Sequence, residues 1–322
     1  MASDGKTAGM GRAGARCTAA FLGSDRAAHS AERAGSAIIT PMKFTKMHGL
    51  GNCYVYVNCF EERVADAPAL ARAVSDRNTG VGSDGLILIG PSASADARME
   101  MYNLDGSRGQ MCGNGIRCVA KYVYDHGISR RNPLRIETDA GLMTIDLTLR
   151  DGRVALARVD MGRPRLRPED LPVRLSAEQM KDHPVDVSGR PGRMTCVSMG
   201  NPHAVVFDVP LALLSPKVLA AEGAALENHP LFPERTNVHF AEVISPDELR
   251  AIHWERGSGA TAACGTGACA VVVAGALTGR CARRATVHVP GGDLLIDWNP
   301  DDDHVYMTGP AVEIFTGDWP ET

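Results

Sequence analysis

Two cysteines in the sequence precede glycine-rich segments that follow one pattern. The segments are "MCGNG" at residues 111–115 and "ACGTG" at 263–267, and each leads into an apolar, helix-like stretch. A cysteine at a helix N-terminus lies beside unpaired backbone N–H groups and the positive end of the helix dipole, and both favour the thiolate. The pattern therefore predicts that Cys112 and Cys264 are reactive and that the pKa of each is lowered.

The two segments together could invert a stereocentre. Their glycines let the backbone approach a ligand closely, and free N–H groups at a helix start can hold a carboxylate. If the segments face each other, one sulfur can remove a proton from the carbon beside that carboxylate. The other sulfur can then return a proton to the opposite face. This chemistry uses neither a metal nor pyridoxal, so we expect no cofactor.

Other uses of cysteine remain open at this point. A single cysteine is most often a small buried apolar residue, and we interpret the remaining cysteines from Cys59 onward in that way: Cys59, Cys118, Cys196, Cys269 and Cys281. The C-x5-C and C-x4-C spacings could bind zinc, although the common C-x2-C pair is absent from the sequence. A non-catalytic zinc or redox thiol module is therefore the alternative from another class, and we expect no metal.

Composition narrows the class of partner. The chain has 322 residues, 44% of them hydrophobic, and a formal net charge of −4. The absence of a basic excess argues against nucleic acid, and the apolar run at 270–277 is far shorter than the about 20 residues of a membrane span. Nine cysteines without an apolar signal peptide favour a reducing compartment. We expect a cytoplasmic homodimer that acts on a small molecule.

The order of segments predicts an internal duplication. Residues 1–41 lack periodicity and are predicted to be a disordered extension. Beyond them, two sets of strand-like segments each surround one helix-like stretch, and the landmarks Gly51-Asn52 and Gly200-Asn201 recur at nearly the separation of the two cysteines. We predict an α+β fold of two similar domains, each a mostly antiparallel, barrel-like sheet around a central helix, with the active site in the cleft between them. The predicted limits are 42–160, completed by 309–322, and 161–308.

Six segments, in order along the chain, carry a resemblance to a known family. The sequence resembles diaminopimelate epimerases, which are pyridoxal-independent enzymes of lysine and cell-wall precursor synthesis. The segments are "KMHGLGN" (46–52), "RNTGVGSDG" (77–85), "MYNLDGSRGQMCGNGIRC" (101–118), "MGNPH" (199–203), "RTNV" (235–238) and "ERGSGATAACGTGACA" (255–270).

The resemblance implies the reaction and the site. The reaction is the conversion of LL-2,6-diaminopimelate to the meso isomer, with Cys112 and Cys264 as the two acid/base residues. Substrate is bound by side chains of Asn52, Asn103, Asn201, Asn237, Glu255 and Arg256, and by backbone N–H groups at Gly113, Asn114, Gly265 and Thr266. His203 and Glu255 match positions that tune the pKa of the cysteines. A guanidinium at Arg256 suits the far carboxylate of this substrate.

Some positions depart from the family pattern or have simpler interpretations. Cys53 stands where the family has Asp, Ala260 where many members have Glu, and Gly85 where some have Gln. The asparagines could be turn residues, His203 a core histidine, and Glu255-Arg256 a surface pair. The nearest alternative activity is that of a proline racemase or hydroxyproline epimerase, which shares the paired-cysteine scheme but resembles "MCGHG" where this chain has Asn114.

Overall fold

The computed structural model describes residues 41–175 and 177–320, which form eighteen strands and four α-helices. Apart from Pro41, the predicted disordered extension lies outside the described residues. The helices are α1 (Ala67–Ser75), α2 (Gly113–Asp125), α3 (Pro216–Glu227) and α4 (Gly265–Leu277). The strands are β1 (Met42–Gly49), β2 (Asn52–Asn58), β3 (Gly85–Gly90), β4 (Ala97–Asn103), β5 (Arg108–Gly109), β6 (Leu134–Thr138), β7 (Gly141–Arg150), β8 (Arg153–Asp160), β9 (His183–Val187), β10 (Arg190–Ser198), β11 (Pro202–Phe207), β12 (Asn237–Ser245), β13 (Glu248–Glu255), β14 (Gly259–Thr261), β15 (Arg284–Val289), β16 (Gly292–Trp298), β17 (Val305–Gly309) and β18 (Val312–Trp319).

The strands pair in the same order twice. In the first series β1 and β2 form a hairpin, β2 runs parallel to β3, β4 pairs with β3 and runs parallel to β6, and β7 and β8 follow as an antiparallel ribbon. The second series repeats this arrangement with β10 to β17, in which β11–β12 and β13–β15 are the parallel pairs. All other ladders are antiparallel. The prediction of an α+β fold with two similar, mostly antiparallel domains is confirmed.

One pairing joins the two series into one sheet. Strand β8 at the end of the first series pairs with β17 at the end of the second. The final strand, β18, returns to pair with β1, as β9 pairs with β10. Each series therefore gains an outer strand beside its opening hairpin, and for the first series that strand comes from the C-terminal end of the chain.

The helices α2 and α4 occupy equivalent central positions. Helix α2 packs against β1, β2 and β8, and α4 packs against β10, β15 and β16. In α4 the residues from Gly267 to Gly275 are all buried, as expected for a helix that is apolar on every side. None of the helices in the described ranges has the combination of length and apolar character that crossing a membrane requires.

Candidate active site

The N-termini of the two central helices converge on one buried methionine of β17. A Cβ atom built on Gly113, the first residue of α2, would lie 2.9 Å from Met307 Cε. One built on Gly265, the first residue of α4, would lie 3.0 Å from Met307 Sδ. Cys112 and Cys264 are the N-cap residues of these helices. The structure therefore brings the two predicted catalytic segments together, although 149 residues separate Asn114 from its hydrogen-bond partner Ala263.

Cys112 is held by the first turn of its helix and by an asparagine. Its Sγ accepts a hydrogen bond from the N–H of Gly115 at 3.3 Å and lies 3.4 Å from Asn52 Oδ1, to which the thiol donates. Asn52 in turn donates through Nδ2 to Asp84 Oδ2 at 2.9 Å. Asp84 therefore orients the amide of Asn52 so that its oxygen faces the sulfur.

Cys264 lies beside a carboxylate rather than an asparagine. Its Sγ is 3.6 Å from Thr266 Oγ1, and the residue is only 4% exposed. The carboxylate of Glu255 accepts a hydrogen bond from the hydroxyl of Thr261. Burial raises the pKa of Glu255, whereas hydrogen bonds from Thr261 and Cys264 lower it.

The expected lowering of the two cysteine pKa values is wrong. Burial raises the pKa of Cys112 despite the N–H groups of Gly115 and Asn114, and it raises the pKa of Cys264 well above its ordinary value, with the charge of Glu255 adding to the effect. Loss of water around the sulfur therefore outweighs the helix terminus.

His203 belongs to a chain of three buried histidines. Its Nε2 lies 2.9 Å from Asn201 Oδ1, and its Nδ1 lies 2.8 Å from Nε2 of His239. Nδ1 of His239 lies 2.8 Å from Nδ1 of His253. All three rings are at most 1% exposed. Burial lowers the pKa of His203 to about 3 and that of His253 to about 4, and lowers the pKa of His239 strongly, so all three are neutral near pH 7.

The donor atoms of His203, His239 and Cys264 lie within 4.8 Å of one another, a grouping that could suggest a metal site. However, Nδ1 of His203 and Nε2 of His239 are 2.8 Å apart and share a hydrogen bond. Tetrahedral zinc with its usual bond lengths separates two nitrogen ligands by about 3.3 Å, with both lone pairs pointing at the ion. The arrangement of these rings fits a hydrogen-bonded pair better than a ligand pair.

Among the remaining predicted binding residues, Asn237 and Arg256 contact each other, whereas Asn103 bonds within a separate turn. Asn237 donates to the carbonyl of Pro202 at 2.9 Å and accepts from the backbone N–H of Arg256 at 2.9 Å. The exposed guanidinium of Arg256 donates to the carbonyl of Glu234. Asn103, by contrast, hydrogen-bonds within its own turn, to Ser107 Oγ at 2.9 Å, so its contacts do not link it to either cysteine.

The departures from the family pattern leave the cysteine segments intact. The N–H of Cys53 donates to Asp84, the residue that orients Asn52. Gly85 has φ of 155°, and a Cβ atom there would lie 2.1 Å from the carbonyl oxygen of Tyr102, so this backbone requires glycine. Ala260 is an exposed residue of β14.

The sequence interpretation missed Asp84, Arg117, His239 and His253. Two of them, His239 and His253, could have been predicted from the sequence, because successive side chains of a strand alternate between its two faces. His239 is two residues after Asn237 on β12, and His253 is two residues before Glu255 on β13, so each shares a face with a predicted site residue. The strands place His239 directly opposite His253.

The buried histidines predict a loss of stability in acid. Each has a folded pKa below its ordinary value of 6.5, so between pH 6.5 and about 4 the unfolded chain binds protons that the folded chain does not. The contribution of these neutral histidines to the free energy of unfolding is therefore fully present above pH 6.5. It falls by about 1.4 kcal/mol per pH unit for each such histidine as the pH drops. Urea unfolding at pH 7, 6 and 5 measures this slope.

The replacement His253→Gln provides the control for that slope. Glutamine keeps a polar side chain but does not titrate. The slope of unfolding free energy against pH should therefore decrease by the contribution of one histidine, about 1.4 kcal/mol per pH unit. An unchanged slope in this variant would contradict the assignment.

Comparison with known proteins identifies the fold and the family. The fold is that of amino-acid racemases and epimerases: the hydroxyproline epimerase of Agrobacterium vitis superposes with a TM-score of 0.62 at 16% identity, covering 86% of this chain and 90% of the other. The sequence model described as diaminopimelate epimerase matches residues 44–167 and 195–314.

Curated relatives lead to the same family. The chain is 53% identical over 282 residues to the diaminopimelate epimerase of Acetivibrio thermocellus, covering 86% of this chain and 98% of the relative. It is also 53% identical over 280 residues to that of Moorella thermoacetica, covering 87% and 99%. The chain belongs to the diaminopimelate epimerase family.

Proposed function

We propose that this protein converts LL-2,6-diaminopimelate to the meso isomer by proton transfer between two cysteines, in lysine and peptidoglycan precursor synthesis. The observation that carries the proposal is the meeting of two helix N-termini that are each capped by a cysteine. Asn114, two residues after Cys112, donates through Nδ2 to the carbonyl of Ala263, the residue before Cys264, at 3.1 Å.

The helix starts provide the binding site for the reacting end of the substrate. The first N–H groups of a helix have no partner within it, so those of Gly113, Asn114, Gly265 and Thr266 can hold the α-carboxylate. When the Cα–H bond breaks, negative charge moves into this carboxylate. Donors already in place stabilise that charge most in the transition state, and one such donor contributes about 2.7–4 kcal/mol in comparable sites.

The two thiols exchange roles during one turnover. Cys112, once ionised, takes the α-proton and becomes a thiol. Cys264, still protonated, gives its proton to the opposite face of the carbon and becomes the thiolate. Burial, together with the negative charge of Glu255, raises the pKa of Cys264 well above its ordinary value, which supports a protonated Cys264. In the reverse direction the roles are exchanged, so atoms and charges balance.

The proposal assigns the distal end of the substrate to Arg256, Glu255 and the asparagines. Arg256 pairs with the far carboxylate, and Glu255 together with asparagine oxygens accepts from the far ammonium. Asn52, Asn103, Asn201 and Asn237 complete the binding set. His203, neutral and close to Cys264, is assigned to pKa tuning with Glu255.

Domain limits, location and assembly belong to the same proposal. We take 42–160 with 309–322 as one domain and 161–308 as the other, which the pairing of β18 with β1 supports. Eight free cysteines among the described residues suit a reducing cytoplasm. The homodimer would cover apolar side chains that β18 leaves exposed, such as Ile314 and Phe315.

The substrate is tested by following solvent deuterium into the α-position of four candidates. LL- and meso-diaminopimelate should exchange, because both carry the far carboxylate that Arg256 is proposed to bind. L-Proline and trans-4-hydroxy-L-proline lack that group and should not exchange. Exchange with the cyclic amino acids alone would instead support the proline racemase or hydroxyproline epimerase alternative, and metal analysis of the purified protein tests the zinc module.

A further inference from the structure

Arg117 is a fully buried cation one turn into α2. Its relative exposure is 0%, and it is the largest fully buried side chain in the described part of the chain. Its partners there are all uncharged: Nη1 donates to the carbonyl of Gly113 at 3.0 Å, Nε donates to the carbonyl of Pro310 at 3.2 Å, and Nη1 also lies 3.6 Å from Met307 Sδ. Burying a charge without an anion is costly, so this arginine requires an explanation other than general stability.

The fourth partner of Arg117 is the side chain of Asn114. Nη2 donates to Asn114 Oδ1 at 3.0 Å. A guanidinium can only donate, so this contact fixes which end of the asparagine amide is oxygen. The NH2 group of Asn114 must then point the other way.

That NH2 group reaches both cysteine segments. It donates to the carbonyl of Ala263 at 3.1 Å and lies 3.4 Å from Asn52 Oδ1, the same oxygen that the Cys112 thiol contacts. The side chain of Asn114 is therefore fully used by protein contacts and is 3% exposed as a residue.

We propose that Arg117 is a positioning residue that, through the Asn114 amide, sets the separation of Cys112 and Cys264. The inference rests on the proposed function, since it concerns the geometry of the same two thiols. The two Nη atoms of Arg117 donate to Gly113 and Asn114 of α2. Its Nε donates to the carbonyl of Pro310, which lies between β17 and β18. Lysine carries the same charge on a single ammonium and cannot make these planar contacts together.

A double-mutant cycle tests whether Arg117 acts through Asn114. We expect Arg117→Met and Asn114→Ala each to lower kcat by about 10²-fold, the effect of a misplacement of about 1 Å, with little change in KM. The double variant should be no slower than the slower single variant, because both changes remove one connection. If the two effects multiply, or if Arg117→Met keeps full kcat, the proposal is overturned.

A second measurement does not depend on epimerase activity. The same cycle is run on formation of the Cys112–Cys264 disulfide in a glutathione redox buffer, with the disulfide measured by mass spectrometry of unreduced peptides. We expect the equilibrium constant to fall at least tenfold in each single variant and no further in the double variant. This cycle can be measured even if the protein does not act on diaminopimelate. If the effects of the two single changes on the disulfide equilibrium multiply in the double variant, the proposed role of Arg117 is contradicted.

Two further variants separate positioning from folding. Cys118→Ala changes the neighbouring buried residue of α2, which makes none of these contacts, and should lose stability while keeping kcat within about twofold. If Arg117→Met does not fold, Arg117→Lys replaces it in the cycle and should lower kcat in the same direction. A lysine variant with full kcat would show that charge alone suffices and would overturn the proposal.

Discussion

Replacing either Cys112 or Cys264 with alanine is expected to lower the epimerisation of LL-diaminopimelate by roughly 10⁴-fold, the upper end of what one acid/base residue contributes. Each replacement removes the only thiol assigned to one face of the α-carbon, and each keeps a small side chain at the N-cap. Steady-state turnover and deuterium exchange at the α-carbon both measure the loss. Retained turnover in either variant would contradict the two-cysteine mechanism.

The chain offers matched controls for these variants. Cys118 lies in α2 and Cys269 in α4, each fully buried and within two turns of the cysteine that caps its helix, to which the catalytic role is proposed. Burial raises the pKa of Cys118 to about 11 and that of Cys269 to about 12. Their replacement by alanine removes a thiol from the same helices and should leave turnover nearly unchanged.

Mild oxidation is expected to abolish activity completely and reversibly. With diamide as oxidant, the thiols of Cys112 and Cys264 lose two electrons and two protons and form a disulfide, while the diazene takes up both. The expectation follows from the contact between Asn114 and Ala263, which holds the two cysteine segments side by side. Dithiothreitol should restore full turnover by reducing the bond.

Peptide mapping without reduction identifies the bond responsible. A Cys112–Cys264 peptide pair should appear in proportion to the activity lost. Oxidised protein that remains fully active, or that loses activity with a different cysteine pair, would contradict the expected closeness of the two sulfurs.

Features that are local in sequence were predicted well. A cysteine before a glycine-rich turn and an apolar stretch is sufficient to predict an N-cap, because capping depends on neighbouring residues. The structure places Cys112 and Cys264 at that position. The duplication was also readable, since each series of strands keeps its own turn residues and one central helix.

Features that depend on burial were predicted less well. The sequence indicated that the helix terminus would lower the pKa of Cys112, but the loss of water around a sulfur is a property of the packed structure. The role of Arg117 was equally hidden, because its partners Asn114 and Pro310 lie at very different distances along the chain. A basic residue in an amphipathic helix pattern would ordinarily be assigned to the surface.

The pairing of β18 with β1 has a consequence for biosynthesis. Met42 lies opposite Trp319, and Phe44 packs edge-to-face against Phe315 with ring centroids 6.0 Å apart. Strand β1 therefore cannot complete its pairing until β18 has also been synthesised. Contacts so distant in sequence slow folding, so we expect this pairing to form later than the hairpin of β1 and β2.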